Sequence, residues 1–207
     1  HAVDERTDLS MRSAFDRLLS WFGLAAAILL LIGAGLAFWS SAFIHDQVSA
    51  QLKDQKITMP SGEAIQDPEV KPYLEQYAGQ QMTTGDQAKA FADHYIWVHM
   101  QKSGGGKTYE EVSGEYIGML KDPNSDKAMM AELGELRQSL FMGNTLRGLL
   151  LNAYAFDKVG SIARIGGIVA LVGGVLMLVL SGLGFRHARK VDAGDAPVAA
   201  EAPAASS

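Results

Sequence analysis

The chain has no cysteine among its 207 residues. That excludes disulfides, thiolate nucleophiles, zinc–thiolate sites and cysteine-ligated iron–sulfur clusters, and it leaves the redox compartment unread. Concentrated positive charge is equally scarce. The net charge is −5, and no basic cluster is longer than Arg186-His187-Ala188-Arg189-Lys190, so no nucleic-acid surface is expected. No segment alternates apolar and polar residues with period two, so no sheet is expected either. The most consequential absence is local. The runs Trp21–Phe43 and Ile165–Phe185 contain no charged residue at all.

Those runs are 23 and 21 residues long, and about 20 apolar residues suffice to cross ~30 Å of hydrocarbon. The expectation is an all-α membrane protein, with two transmembrane helices and an extracytoplasmic helical bundle inserted between them. Its parts are residues 1–20 as a cytoplasmic segment, 21–43 as the first span, 44–164 as the outer domain and 165–185 as the second span. Residues 186–207 form a cytoplasmic basic stub and a disordered tail rich in Ala, Pro and Ser. Met11 is the expected start, because residues 1–10 are acidic and polar and precede a short Arg-containing lead. Ser40 and Ala42 offer a signal-peptide cleavage site, but a signal h-region runs to only about 7–15 residues.

Orientation follows the Lys/Arg bias. Arg12 and Arg17 precede the first run, and Arg186, Arg189 and Lys190 follow the second. His45–Leu52 carries no Lys or Arg, although Lys158 and Arg164 precede the second run. This places both termini in the cytoplasm and the chain in a plasma membrane. Trp21, Phe22, Phe38, Trp39, Phe43, Tyr154 and Phe156 flank the runs as interfacial aromatics do. Neither run holds an ionisable residue, which argues against a proton relay or transport path.

Glycine recurs at seven in Gly160, Gly167 and Gly174, and Gly23/Ala27 and Gly33/Ala37 make smaller steps in the first run. Such faces let helices approach closely in lipid. They serve either the pairing of the two spans with each other or a contact with a membrane-protein partner or second copy.

Between the runs, the first helix should continue through Asp54, followed by extended chain at Lys56–Pro60, a loop at Ser61–Asp67 and a short helix at Pro68–Tyr77. Thr84 with Gln87 and Thr108 with Glu111 are capping boxes. They predict helices over Gly85–Gln101 and Tyr109–Lys121. The first has a buried stripe of Ala88, Phe91, Ala92, Tyr95, Ile96 and His99. Ser125 is expected to cap a helix over Asp126–Met142 that Gly143 ends. Thr145–Gly160, apolar nearly all round, should then run into the second span with a break or bend at Gly160.

Candidate chemistry is thin. Gly104-Gly105-Gly106-Lys107-Thr108 lacks the leading glycine of a phosphate loop, since Gln101 stands there, and a helix precedes it rather than a strand. It reads as an interhelical loop. His94 and His99 are five apart, about 140° round a helix, unlike a zinc-gripping i,i+4 pair. His99 is expected half-buried, with His94 at the surface and His45 a polar anchor beside the membrane. Arg147 reads as a snorkelling arginine near headgroups. Sixteen carboxylates are spread over residues 44–164 without a marked pair, and no nucleophile elbow occurs. No catalytic, cofactor-binding or metal residue is therefore assigned.

Gln47–Pro60, Tyr77–Tyr95, Gly106–Ser113 and above all Leu140–Phe156 (LFMGNTLRGLLLNAYAF) resemble a family of actinobacterial two-span membrane proteins. The resemblance covers about residues 11–190 and implies a cell-envelope setting. Some members are labelled as akin to aromatic ring-opening dioxygenases. Ring cleavage of that kind uses iron held by two histidines and a carboxylate, and the histidines here are wrongly spaced for it. The expected function is a non-enzymatic accessory or scaffold protein whose outer domain binds an envelope partner. The alternative is a ligand-binding sensor acting through a separate partner, since only about 20 residues follow the second run. An envelope enzyme using His94 or carboxylates is the third reading.

Overall fold

A computed structural model describes the backbone of residues 2–194, with side chains for residue 11 and residues 14–190. The expected tail lies outside the described residues from position 195 on. Residues 191–194, expected in that tail, belong to a helix instead.

Two long helices dominate: α1, Ala2–Asp54, and α6, Lys127–Gly194. Both are long and apolar enough to cross a membrane. Four shorter helices lie between them, namely α2 (Lys71–Leu74), α3 (Gly85–Phe91), α4 (Trp97–Ser103) and α5 (Tyr109–Lys121). Among the described residues no strand forms. The sole pairing of that kind is an isolated antiparallel bridge between Thr58 and Gln81, extended by Met59 N–H to Gln80 O and Met82 N–H to Ile57 O, each 2.8 Å. The chain divides into two compact units, one taking the chain up to Trp39 and from Ala163 on, the other Ser40–Ile162.

In the first unit α1 and α6 pack antiparallel through small residues. A Cβ on Gly174 would lie 2.9 Å from Leu31 Cδ2 and 3.3 Å from the Ala27 carbonyl, and one on Gly167 would lie 3.1 Å from the Phe38 ring. Further along, Gly23 meets the Ser181 hydroxyl and Gly184 meets the Ser20 hydroxyl. Ala27 and Ala34 are buried in the seam, and Trp21 stands edge-on to Phe185 at 5.5 Å. The outward faces stay bare: Phe22, Leu29, Leu36 and Trp39 on α1, and Ile165, Val169, Val172 and Leu180 on α6.

The second unit has a conventional core. The end of α1 contributes Val48 and Leu52, the segment after it Met59, Ile65, Val70, Leu74 and Met82, and α3–α4 Ala88, Ala92, Ile96, Val98 and Met100. Val112 of α5 and Leu140 and Leu150 of α6 complete it. Both capping boxes form, with Thr84 Oγ1 accepting from Gln87 N–H and Thr108 Oγ1 from Glu111 N–H, each at 3.3 Å. The third cap differs from expectation. Asp126 Oδ1 accepts from Ala128 N–H at 2.8 Å, while Ser125 Oγ turns away and donates to Met119 O. The short-helix segment is also tighter than expected, with α2 confined to Lys71–Leu74 and Glu75–Tyr77 wound as a 3-10 turn.

Three expectations about helix continuity are overturned. The predicted helix Gly85–Gln101 contains a π-helical stretch, Ala92–Ile96, between α3 and α4. The wider turn shifts the phase of α4 relative to α3, so the buried set becomes Ala88, Ala92, Ile96, Val98 and Met100, and His99 faces out. Gly143 does not end a helix. It lies within α6, where Met100 fills the space its missing side chain leaves, 2.5 Å from a Cβ placed there to Met100 Sδ. Nor does Gly160 interrupt α6; Ile44 and His45 of α1 close on it instead.

Candidate functional site

The sequence-flagged residues separate rather than converge. The loop after α4 turns on Gly105 and Gly106, at φ +60° and +82°, a region that favours glycine. Lys107 is tied to Glu115 at 2.7 Å, so the loop serves the Thr108 cap. Among the described residues no three His, Asp or Glu side chains are placed to hold a metal ion.

The histidines exchange their expected roles. His94 is half-buried and stacks on Tyr73, with ring centroids 3.5 Å apart, whereas His99 is exposed and bonded through Nδ1 to Tyr95 O. His45 Nδ1 lies 2.9 Å from Asp157 Oδ1, a pairing across α1 and α6. Gly85 is the floor of that pair, since a Cβ there would lie 2.5 Å from Asp157 Cβ.

Arg147 is not a snorkelling side chain. Its Nη2 donates to Asp93 Oδ1 at 2.8 Å, its guanidinium stands 4.9 Å over the Trp97 ring, and its Nε is buried without a hydrogen-bond partner. Lys89 also bonds Asp93. Burial works to raise the Asp93 pKa, but the hydrogen bonds from Lys89 and Arg147 outweigh it and hold the carboxyl below its usual value. The π-turn carries Asp93 to this position, and the cluster locks α6 to α3–α4.

His94 yields a pH prediction. Burial pushes its pKa below the ordinary value, against the attraction of Asp93 and with the repulsion of Lys89. The fold therefore favours the neutral ring. That contribution is complete above the unfolded value of about 6.5 and is lost as pH falls below it. The thermal midpoint of the detergent-solubilised protein is expected to drop between about pH 7 and 5, and His94→Phe to flatten the drop. An unchanged slope in the variant would assign the effect elsewhere.

The feature best suited to binding is a groove between the end of α1 and α6, enclosing about 540 Å³. Phe43, Ile44, Val48 and Leu52 line it from α1, with Ile57 just beyond, and Leu146, Leu149, Leu150, Ala153 and Phe156 line it from α6. Its polar groups are the amides of Gln47, Gln51, Gln55 and Asn152, and no charged side chain lines it. Gln47 and Gln51 lie four residues apart on one side of α1, and Gln55 follows in the turn just past its end. Leu149 is 64% exposed and Phe156 55%, a costly presentation to water for side chains of this size. Volumes of 300–1,000 Å³ with apolar walls and a few amides are typical of small-molecule sites.

Sequence reasoning missed this groove because its walls are about 100 residues apart in the chain. The available signals were the Gln47/Gln51/Gln55 row beside Ile44/Val48/Leu52, and the apolar excess of Leu146–Phe156. Compared with models of protein families, with curated proteins and with solved structures, the chain matches none.

Proposed function

We propose that this chain is a two-span membrane protein of the cell envelope, with both termini cytoplasmic and residues 44–164 outside. It acts as a non-enzymatic accessory or scaffold protein through binding by its outer domain. The observation that carries the membrane reading is the bare apolar surface of α1 and α6. Phe22, Leu29, Trp39, Val169 and Leu180 are all exposed, far more apolar surface than a soluble monomer tolerates. Hydrocarbon covers such faces while the helices satisfy their own backbone. The Lys/Arg bias supports the orientation. The groove, neutral and open, supports binding rather than chemistry. It also favours the second reading, a ligand-sensing module that signals through a separate partner.

The absence of native cysteine makes the test direct. Glu75→Cys is expected to react with a membrane-impermeant maleimide in intact cells, and Ser207→Cys only after lysis. The reverse pattern overturns the orientation. Release of the protein from membranes by alkaline carbonate overturns the spanning reading altogether.

A further inference from the structure

We infer that the last turns of α6 form a binding site for an anionic phospholipid, whose headgroup phosphate is held by Arg186, Arg189 and Lys190. This rests on the membrane reading above and goes beyond it by naming a lipid class and the side chains that select it.

Placement on the helix comes first. Gly182, Phe185, Arg186, Arg189 and Lys190 line one shallow hollow, and their spacing of three, four, seven and eight sets them on a single face. Gly182 opens the hollow, since nothing lies within 4 Å of a Cβ placed there. The face is turned away from the seam with α1. At 100° per residue it is centred about 140° round α6 from Ser181 and Ala188, which are buried.

Charge comes next. Arg186, Arg189 and Lys190 are exposed, and among the described residues none of them has an ion pair or hydrogen bond. No described carboxylate lines the hollow. Asp16 of α1 is met instead by His187 at 3.7 Å, off the basic stripe. Two guanidinium forks and an ammonium on one face suit a phosphate, and phosphatidylcholine answers them less well because its own choline neutralises the headgroup.

Depth distinguishes a lipid from a soluble anion or an acidic protein. The same face continues back along α6 through Val175, Leu178 and Val179, all with exposed side chains. From Val175 to Phe185 the helix rises about 15 Å at 1.5 Å per residue, which is the depth of one leaflet, half of the ~30 Å core. Arg186 to Lys190 then lie about 1.5–7.5 Å beyond Phe185, within the headgroup layer of roughly 5–8 Å on each side. An apolar stretch one leaflet long, ending in three unpaired cations at phosphate level, has the outline of one phospholipid.

The test gives the full chain in neutral detergent equimolar phosphatidylglycerol and phosphatidylcholine with matched acyl chains. Retained lipid is counted by native mass spectrometry. Phosphatidylglycerol is expected to be retained in preference by about ten-fold or more, as each cation near anionic lipid is worth about five-fold. The triple variant Arg186→Ala, Arg189→Ala, Lys190→Ala is expected to bring the ratio close to one. All three side chains are exposed, so its thermal midpoint is expected to stay unchanged. The control Lys53→Ala, Lys56→Ala, Lys121→Ala removes the same charge from other exposed positions and is expected to keep the preference. Excess inorganic phosphate is expected to leave the lipid bound, because it has no chain to lie along Val175–Val179. A ratio near one in the native protein, or an equal loss in both variants, overturns the inference; phosphatidylcholine still carried by the protein leaves the membrane reading standing. Displacement by inorganic phosphate assigns the cations to a free anion, and a dimer that the triple variant dissolves assigns them to a second copy; either overturns the lipid. Protein that carries neither lipid and stays monomeric after detergent is removed overturns the membrane reading as well.

Discussion

Leu74→Ala will cost the Ser40–Ile162 unit about 2–5 kcal/mol, the range for truncating a fully buried leucine that leaves a cavity. Leu74 has no exposed surface. It belongs to α2, a helix of four residues, which is far too short to persist by its own hydrogen bonds. Its turn stays folded because Leu74 shares a core with Val70, Met59 and Met82. The backbone bonds of this region, such as Gly79 N–H to Met59 O at 3.1 Å, depend on that packing in turn. A loss near 3 kcal/mol moves the thermal midpoint by roughly 10 °C or more. With Trp21→Phe and Trp39→Phe in the background, Trp97 fluorescence reports this unit alone. Leu120→Ala is the control, since Leu120 is 56% exposed, and its effect is expected to stay within about 0.5 kcal/mol. A Leu74→Ala variant as stable as that control would remove the segment after α1 from the core.

Gly174→Val will loosen the pairing of α1 with α6 by about 1–3 kcal/mol, the usual penalty of overpacking a tight contact. The first atom of the new side chain would sit 2.9 Å from Leu31 Cγ and Cδ2, and 3.3 Å from the Ala27 carbonyl oxygen. Leucine can yield by rotation, but a backbone carbonyl cannot. Gly166 and Gly182 have nothing within 4 Å of an added Cβ, so Gly166→Val and Gly182→Val are expected to leave the pairing intact. Crosslinking between Leu31→Cys and Gly174→Cys in detergent gives the native contact. Its distance-matched equivalent, Ala37→Cys with Gly167→Cys, reports the loss when Gly174 is valine. If Gly166→Val weakened the crosslink as much as Gly174→Val, the seam assigned to Gly167 and Gly174 would be on the wrong face.

The features legible in the sequence were local ones. Thr84/Gln87 and Thr108/Glu111 declare their helix starts because a capping box is complete within four residues. The helical class and the two apolar helices come from period and length. The features that escaped depend on partners far along the chain. Gly143 reads as a stop because glycine often ends helices, yet Met100 makes it a packing notch. Arg147 has no sequence neighbour that announces Asp93, 54 positions earlier, so solvent or headgroups are the natural guess for its charge. His94 and His99 exchange environments because one π-turn shifts the helix phase, and no residue among Ala92–Ile96 marks that turn. The groove has the same cause on a larger scale, since its walls, residues 43–57 and 146–156, meet only in the fold.

The seam of small residues has a consequence for biosynthesis. Leu31 and Gly174 are 143 positions apart, and at ~5–20 residues per second a ribosome needs about 7–30 s to make the intervening chain. In a membrane-inserted protein, α1 waits that long alone in the bilayer, with its Gly23–Ala27–Ala34 face unmatched. During this interval any helix with a complementary small-residue face competes for it, and membrane proteases and chaperones have their clearest view of the nascent chain. On the membrane reading proposed above, the yield of correctly paired protein depends on a race between translation and capture, and slowing elongation after residue 54 tilts that race toward capture.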